Sequence, residues 1–287
     1  SRIKNDYLEN LRSQIGGIDG LVTRQLMPLA VESLDSALSG GLALGRVHML
    51  CSMMQLHGVA SSFVTALLIR LVTHLSAVNK RLGPIVWCPA SKRGGSGMLY
   101  GHGLAALGLD PARLMIVDTP HPARRMAALA DIARTDGLTA VVAEYDGMQN
   151  SSDYWMRLIK RIQLAAESSR VTVFLLGAPL TASGCETVWH IAPSNLASDL
   201  SHNMSYAPIK SASQSWCPAW EVSLQRVRGG YPFYGHISWD LSSGRFIELA
   251  AVTDADPPAQ TIFDKGQDQM SVSNRNRLTP QTMPQVV

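Results

Sequence analysis

Charge is scarce in this chain: Asp, Glu, Lys and Arg make up only 16% of its 287 residues, and the net charge is +3. With 46% hydrophobic residues, that composition excludes a disordered polyelectrolyte and describes a chain able to bury a sizeable core. The mildly basic balance permits contact with nucleic acid or an acidic protein but requires neither. Cysteine is equally thin. Cys51, Cys88, Cys185 and Cys217 form no C-x-x-C and have no histidine pair beside them. That spacing argues against a zinc site and a disulfide framework and points to a reducing cytoplasm. There is no H-E-x-x-H and no G-x-S-x-G elbow after a strand, and the eight histidines lie singly. The most apolar run, residues 59–78, contains Arg70 and His74 and therefore reads as a buried helix rather than a membrane span. The opening residues, SRIKNDYLENLRSQ, are polar and charged, unlike a secretory signal.

What is present is organised around residues 39–78. A Ser-Gly-Gly turn leads to an apolar strand at 47–52, then a loop, then the long apolar helix. A strand–loop–helix of this kind cradles nucleotide phosphates when the loop amides and the helix N-terminus point at the anion. The pattern G-x-x-x-x-G-K-[ST] adds a lysine for the β/γ-phosphates and a hydroxyl for Mg²⁺. Here the loop runs from Ser52 to Gly58, one residue too long, with Val59 where the lysine belongs and Ala60 where the hydroxyl belongs. Ser52, Gly58, Val59 and Ala60 thus predict a degenerate phosphate loop with no cofactor and no metal. Glu144 stands where a second acidic residue would hold Mg²⁺. Without the lysine and the hydroxyl, a lone carboxylate does not bind a magnesium nucleotide usefully, so Glu144 reads as a structural or helix-capping residue.

Along the chain, residues 4–12 suggest a short amphipathic helix and residues 28–38 a second. Strands are expected at 85–88, 114–117, 139–143 and 171–176, alternating with helices at 99–107, 122–135 and 153–167. A glycine-rich loop from 91 to 103 holds Lys92 and Arg93 and reads as a surface loop. The alternation predicts an α/β fold with a mainly parallel sheet covered on both faces. From residue 187 the apolar residues alternate in period two, which predicts a C-terminal antiparallel extension. A polar loop at 194–214 interrupts that run, and the chain beyond 251 reads as a disordered tail. The expected organisation is an arm over 1–27, a core over 28–250 and a tail over 251–287.

Two groups of basic residues are candidates for contact with DNA or a partner. Arg157, Lys160 and Arg161 fall on the polar side of the best-patterned helix, opposite Trp155, Leu158, Ile159, Ile162 and Ala166. Arg226 and Arg228, with Gly229 and Gly230, precede Tyr231, Phe233 and Tyr234. Basic residues interleaved with aromatics line single-stranded nucleic-acid grooves, and they also make an ordinary solvated face and a hairpin turn.

Several stretches resemble the RecA-like superfamily and, within it, the ImuA group of SOS-mutagenesis proteins. They are PLAVESLDSALSGGLALGRVHML, IVWCPA with the later LYGHGLAALGLDPARLMIV, TAVVAE with KRIQLAAE, and VSLQRVRGGYPFYGHISWD, all falling within residues 28–249. The resemblance implies a RecA-like core without ATPase function, and a non-catalytic accessory role in damage-induced, error-prone translesion synthesis. It implies as partners a Y-family polymerase homologue of the ImuB type, an error-prone C-family polymerase through that complex, and RecA itself. The scaffold contacts are expected at the arm, the sheet edge and the tail. Two other readings stay open. One is an ATP-dependent, single-stranded-DNA-binding RecA paralogue in which Arg46, Lys92 or Arg93 replaces the missing lysine. The other is a division inhibitor, since SulA also resembles this superfamily.

Overall fold

Short apolar runs bounded by turn residues become strands, and the amphipathic stretches between them become helices. The computed structural model describes residues 24–52, 57–90, 99–119, 122–145, 152–177, 184–194 and 217–249. The expectations for the helix at 4–12, for Lys92 and Arg93, for the loop following 194 and for the tail lie outside these residues.

β1 (Leu26–Met27) and β2 (Leu42–Ala43) pair as a small antiparallel ladder on either side of α1 (Glu32–Ala37). Residues 24–27, counted with the arm in the sequence reading, therefore belong to a packed element, and Met27 is fully buried. The turn after α1 needs glycine. Gly41 has φ +137, and a Cβ there would lie 2.5 Å from the Met27 carbonyl oxygen.

The remaining strands are β3 (Val47–Cys51), β4 (Ile85–Cys88), β5 (Leu114–Ile116), β6 (Ala140–Glu144), β7 (Thr172–Leu176), β8 (Thr187–Pro193), β9 (Ala219–Val227), β10 (Phe233–Asp240) and β11 (Arg245–Leu249). They form one nine-stranded sheet in the order β11-β10-β9-β8-β3-β7-β6-β4-β5. The run from β8 to β5 is parallel, and β8–β9, β9–β10 and β10–β11 are antiparallel. This is the expected α/β architecture with its antiparallel extension. The junction is sharper than the alternation suggested, because β8 is antiparallel to β9 but parallel to the central β3.

Every residue of β3, β4, β6 and β7 is buried, as parallel strands covered by helices on both faces must be. One face packs on α2 (His57–Ala77) and α3 (Gly101–Leu107), and the other on α4 (Pro122–Arg134) and α5 (Ser152–Ser169). By length and composition alone α2 could cross a membrane. In the fold, residues 63–69 are buried without a break, so the helix has no wet face over two turns. Phe63 is the hub of the packing: its ring lies 6.0 Å from Trp189, 5.3 Å from Trp220 and 5.5 Å from Phe246. These contacts fuse the antiparallel strands to the same core as the parallel ones.

Candidate functional site

In an open α/β sheet the ligand crevice lies outside the carboxyl ends of the strands. Here the carboxyl ends of β3, β6 and β7 meet the first turns of α2 around a cleft lined by Ser52, Ala60, Ser61, Glu144, Tyr145, Leu176 and Gly177. Its volume is about 240 Å³ including space open to solvent, and its walls enclose room for about one water molecule.

Of the four residues of the degenerate phosphate loop, Ser52 and Ala60 line this cleft, and Gly58 and Val59 do not. Ser52 follows β3, and Gly58, Val59 and Ala60 lie in the opening turn of α2. Val59 packs against the hydrophobic core, and Ala60 is 2% exposed. Of the next hydroxyl residues, Ser61 lines the cleft, while Ser62 and Thr65 serve the fold. Ser62 Oγ donates to the Val59 carbonyl at 2.8 Å and accepts from Trp220 Nε1 at 3.0 Å, while Thr65 Oγ1 donates to the Ser61 carbonyl at 2.8 Å.

Glu144 reaches the cleft wall from the end of β6 and is buried. One carboxylate oxygen accepts from Trp87 Nε1 at 2.9 Å and the other from the Ala90 backbone N–H at 2.9 Å. Both oxygens are thus engaged in tying β4 to β6, the structural role read from the sequence. Beneath it, Arg125 is buried and donates to the carbonyls of Glu144 and Thr119, both at 3.3 Å. Arg46, a candidate replacement for the lysine, is at the wrong end of β3. It ion-pairs with Glu167 of α5, across the five-residue strand from Ser52, roughly 20 Å at strand rise.

The two basic groups are not brought together. On α5, Trp155, Ile159, Ile162 and Ala166 are buried as predicted and Leu158 partly so, while Arg157, Lys160 and Arg161 are exposed. Arg161 Nη2 lies 3.4 Å from Asp131 Oδ1 on α4. Arg226 and Arg228 are exposed at the far end of β9, beside the amino ends of β3 and β8 and away from the cleft. The RVRGG turn is docked on α1. Ser39 Oγ donates to the Gly229 carbonyl at 2.7 Å, Tyr231 N donates to the Ala37 carbonyl at 3.1 Å, and Arg24 Nη1 donates to the Arg228 carbonyl at 3.2 Å. Nearby, burial raises the Glu186 carboxyl above the usual range while Arg24, Arg46 and Arg228 oppose that rise. Arg24 is 3.4 Å from it.

Several buried polar residues went unread in the sequence, Gln163 and His48 among them. Gln163, on the apolar side of α5, accepts from Val47 N at 2.9 Å. His48, inside β3, has Nε2 2.8 Å from the Ala43 carbonyl and Nδ1 2.7 Å from Thr187 Oγ1. A carbonyl accepts only, so Nε2 carries the proton; Nδ1 then accepts from the Thr187 hydroxyl, whose oxygen accepts from Trp189 Nε1 at 2.6 Å. Complete burial pushes the imidazole down to about 4, so it is neutral at physiological pH. The one available signal was a histidine in an otherwise apolar strand. Burial also pushes the Cys51 thiol up to about 12 and those of Cys88 and Cys185 up to about 11, which keeps them protonated and poor as nucleophiles or ligands.

No family model matches this chain. Protein ImuA of Caulobacter vibrioides (strain NA1000 / CB15N) is 28% identical to it over 207 residues, which covers 67% of this chain and 74% of that protein. Protein ImuA of Caulobacter vibrioides (strain ATCC 19089 / CIP 103742 / CB 15) matches to the same extent. At this modest identity, the similarity supports an ImuA-type protein.

Proposed function

We propose that this chain is a non-catalytic accessory protein of damage-induced, error-prone translesion synthesis, acting through protein–protein contacts on a RecA-like core. The observation that carries the reading is the opening turn of α2: Val59 packs on the core and Ala60 is buried at the two positions where a phosphate loop needs a cation and a hydroxyl. The similarity to Protein ImuA supports the pathway. In this reading the chain works in the cytoplasm with an ImuB-type Y-family polymerase homologue, through it with an error-prone C-family polymerase, and with RecA. The cleft at the strand ends serves as part of the folding core, because Glu144 spends both oxygens on β4 and the residues following it.

Two measurements test the proposal together. Calorimetry with Mg-ATP should give no micromolar binding, and deleting the gene should lower the frequency of damage-induced mutation. Micromolar affinity, with turnover abolished by Glu144→Ala, would replace the scaffold with an ATPase. Unchanged mutagenesis combined with filamentous cells on overexpression would instead favour a division inhibitor.

A further inference from the structure

We infer that the outer face of α5 is a docking surface for an acidic, amphipathic segment of a partner protein. This inference rests on the scaffold reading above and names the kind of partner such a scaffold takes. The face carries two neighbouring ridges of residues spaced four apart. Met156, Lys160 and Leu164 form one, and Asp153, Arg157 and Arg161 form the other. All six are exposed, Met156 by 46% and Leu164 by 59%. Two large apolar side chains thus flank a lysine on one ridge, at an i to i+8 separation of about 12 Å along the axis.

The charge on this side of the sheet is one-sided. Among the described residues of α4 and α5, the exposed cations are Arg124, Arg134, Arg157, Lys160 and Arg161, against the exposed carboxylates Asp131 and Asp153. Asp131 already serves both Arg134 at 3.3 Å and Arg161 at 3.4 Å. Among the described residues, no carboxylate lies within ion-pair distance of Arg157 or Lys160. An occupant therefore has to supply carboxylates to these two cations. To cover Met156 and Leu164 it also has to supply apolar side chains about two helical turns apart.

A nucleic acid meets only half of this demand. Its phosphates satisfy the cations, but bases stack on aromatic rings, and those of α5 are already engaged: Trp155 is buried, and Tyr154, partly buried, packs on it with ring centroids 6.0 Å apart. Exposed methionine and leucine have no use for a phosphate backbone. They are the side chains that grip an apolar helix stripe, methionine because its flexible thioether adapts to the surface it meets.

Fluorescence anisotropy on the full chain tests this with two probes. One is a labelled helical peptide of about 18 residues with two leucines two turns apart and glutamates between them; the other is a labelled oligo-dT strand. The peptide should bind with a Kd of about 10⁻⁴ M or tighter, and Met156→Ser with Leu164→Ser should weaken it by about tenfold. Arg157→Glu with Lys160→Glu should do the same, and a peptide with lysines in place of its glutamates should bind that second variant again, which shows that the variant is folded. Absence of peptide binding to the unaltered chain would overturn the inference. So would oligo-dT binding that the charge reversal weakens and the Met156/Leu164 change leaves alone. In cells, the Met156/Leu164 variant should fail to restore damage-induced mutation to a deletion strain, and full restoration would also overturn the inference. If the deletion itself leaves mutagenesis unchanged, the functional reading fails, while the peptide result still decides the docking face.

Discussion

Trp220 Nε1 donates to Ser62 Oγ at 3.0 Å, and Ser62 Oγ donates in turn to the Val59 carbonyl at 2.8 Å. A residue of the antiparallel extension therefore pins the helix turn in which a phosphate loop would keep its lysine and hydroxyl. Removing either partner leaves a polar group short of a bond, which costs about 1 kcal/mol on average. Trp220→Phe and Ser62→Ala should each lower stability by about that amount or somewhat more, given the packing lost with the indole. The double variant should be less than additive, as urea denaturation of the four proteins in a thermodynamic cycle would reveal.

Restoring the two absent residues should not restore nucleotide binding. Val59→Lys with Ala60→Thr places a charge and extra volume where Val59 packs on the core and Ala60 is 2% exposed. Overpacking of this kind costs about 1–3 kcal/mol. The expected result is a less stable protein with no Mg-ATP heat in calorimetry; micromolar binding would show that the cleft is intact and only its side chains have changed.

Gly230 approaches the end of α1 so closely that a Cβ would lie 2.0 Å from the Ala37 carbonyl oxygen. Gly229, its neighbour, instead has φ +84, with only the flexible end of Arg24 nearby. Gly230→Ala has to push two backbones apart and should cost about 1–3 kcal/mol or more. Gly229→Ala should cost only the left-handed penalty of about 1–2 kcal/mol. Thermal melts of the two variants separate the mechanisms, and a larger loss at Gly229 would count against the docked RVRGG turn.

His48 makes stability depend on pH. In the unfolded chain an imidazole takes up its proton near 6.5, whereas in the fold His48 does so only near 4. Between these values the unfolded state binds more protons, so stability falls as the pH drops from 6.5 toward 4, and the loss levels off below 4. The contribution is on the order of 3 kcal/mol. Denaturation of the wild type and His48→Asn between pH 7.5 and 4, in steps of about half a unit, should show the variant weaker at neutral pH and the gap closing in acid. Parallel pH profiles would mean that the histidine is not buried neutral.

Much of the architecture is a local property of the sequence. The apolar runs at β3, β4, β6 and β7, the stripe Trp155–Ile159–Ile162–Ala166 on α5 and the period-two alternation after 187 each follow from side chains that repeat along one element. The missing lysine and hydroxyl at Val59 and Ala60 are likewise plain from sequence, since that chemistry depends on which residue types are present. Partners far apart in the chain had no such signal. That β8 lies parallel to β3 depends on pairing His48 with Thr187, and that Glu144 is engaged depends on Trp87. Arg46 was a candidate for the phosphate loop because it is near in sequence, but a strand separates its two ends in space, so it meets Glu167 instead. His48 and Gln163 were unread for the same reason: a buried polar side chain is tolerated only through its hydrogen-bond partners, and Ala43, Thr187 and Val47 become those partners once the sheet and α5 are assembled. Periodicity and composition thus determined the elements and what the phosphate loop lacks. The tertiary structure alone decided which elements touch, and with that, which charges are spent inside the protein and which, on α5, are left facing out.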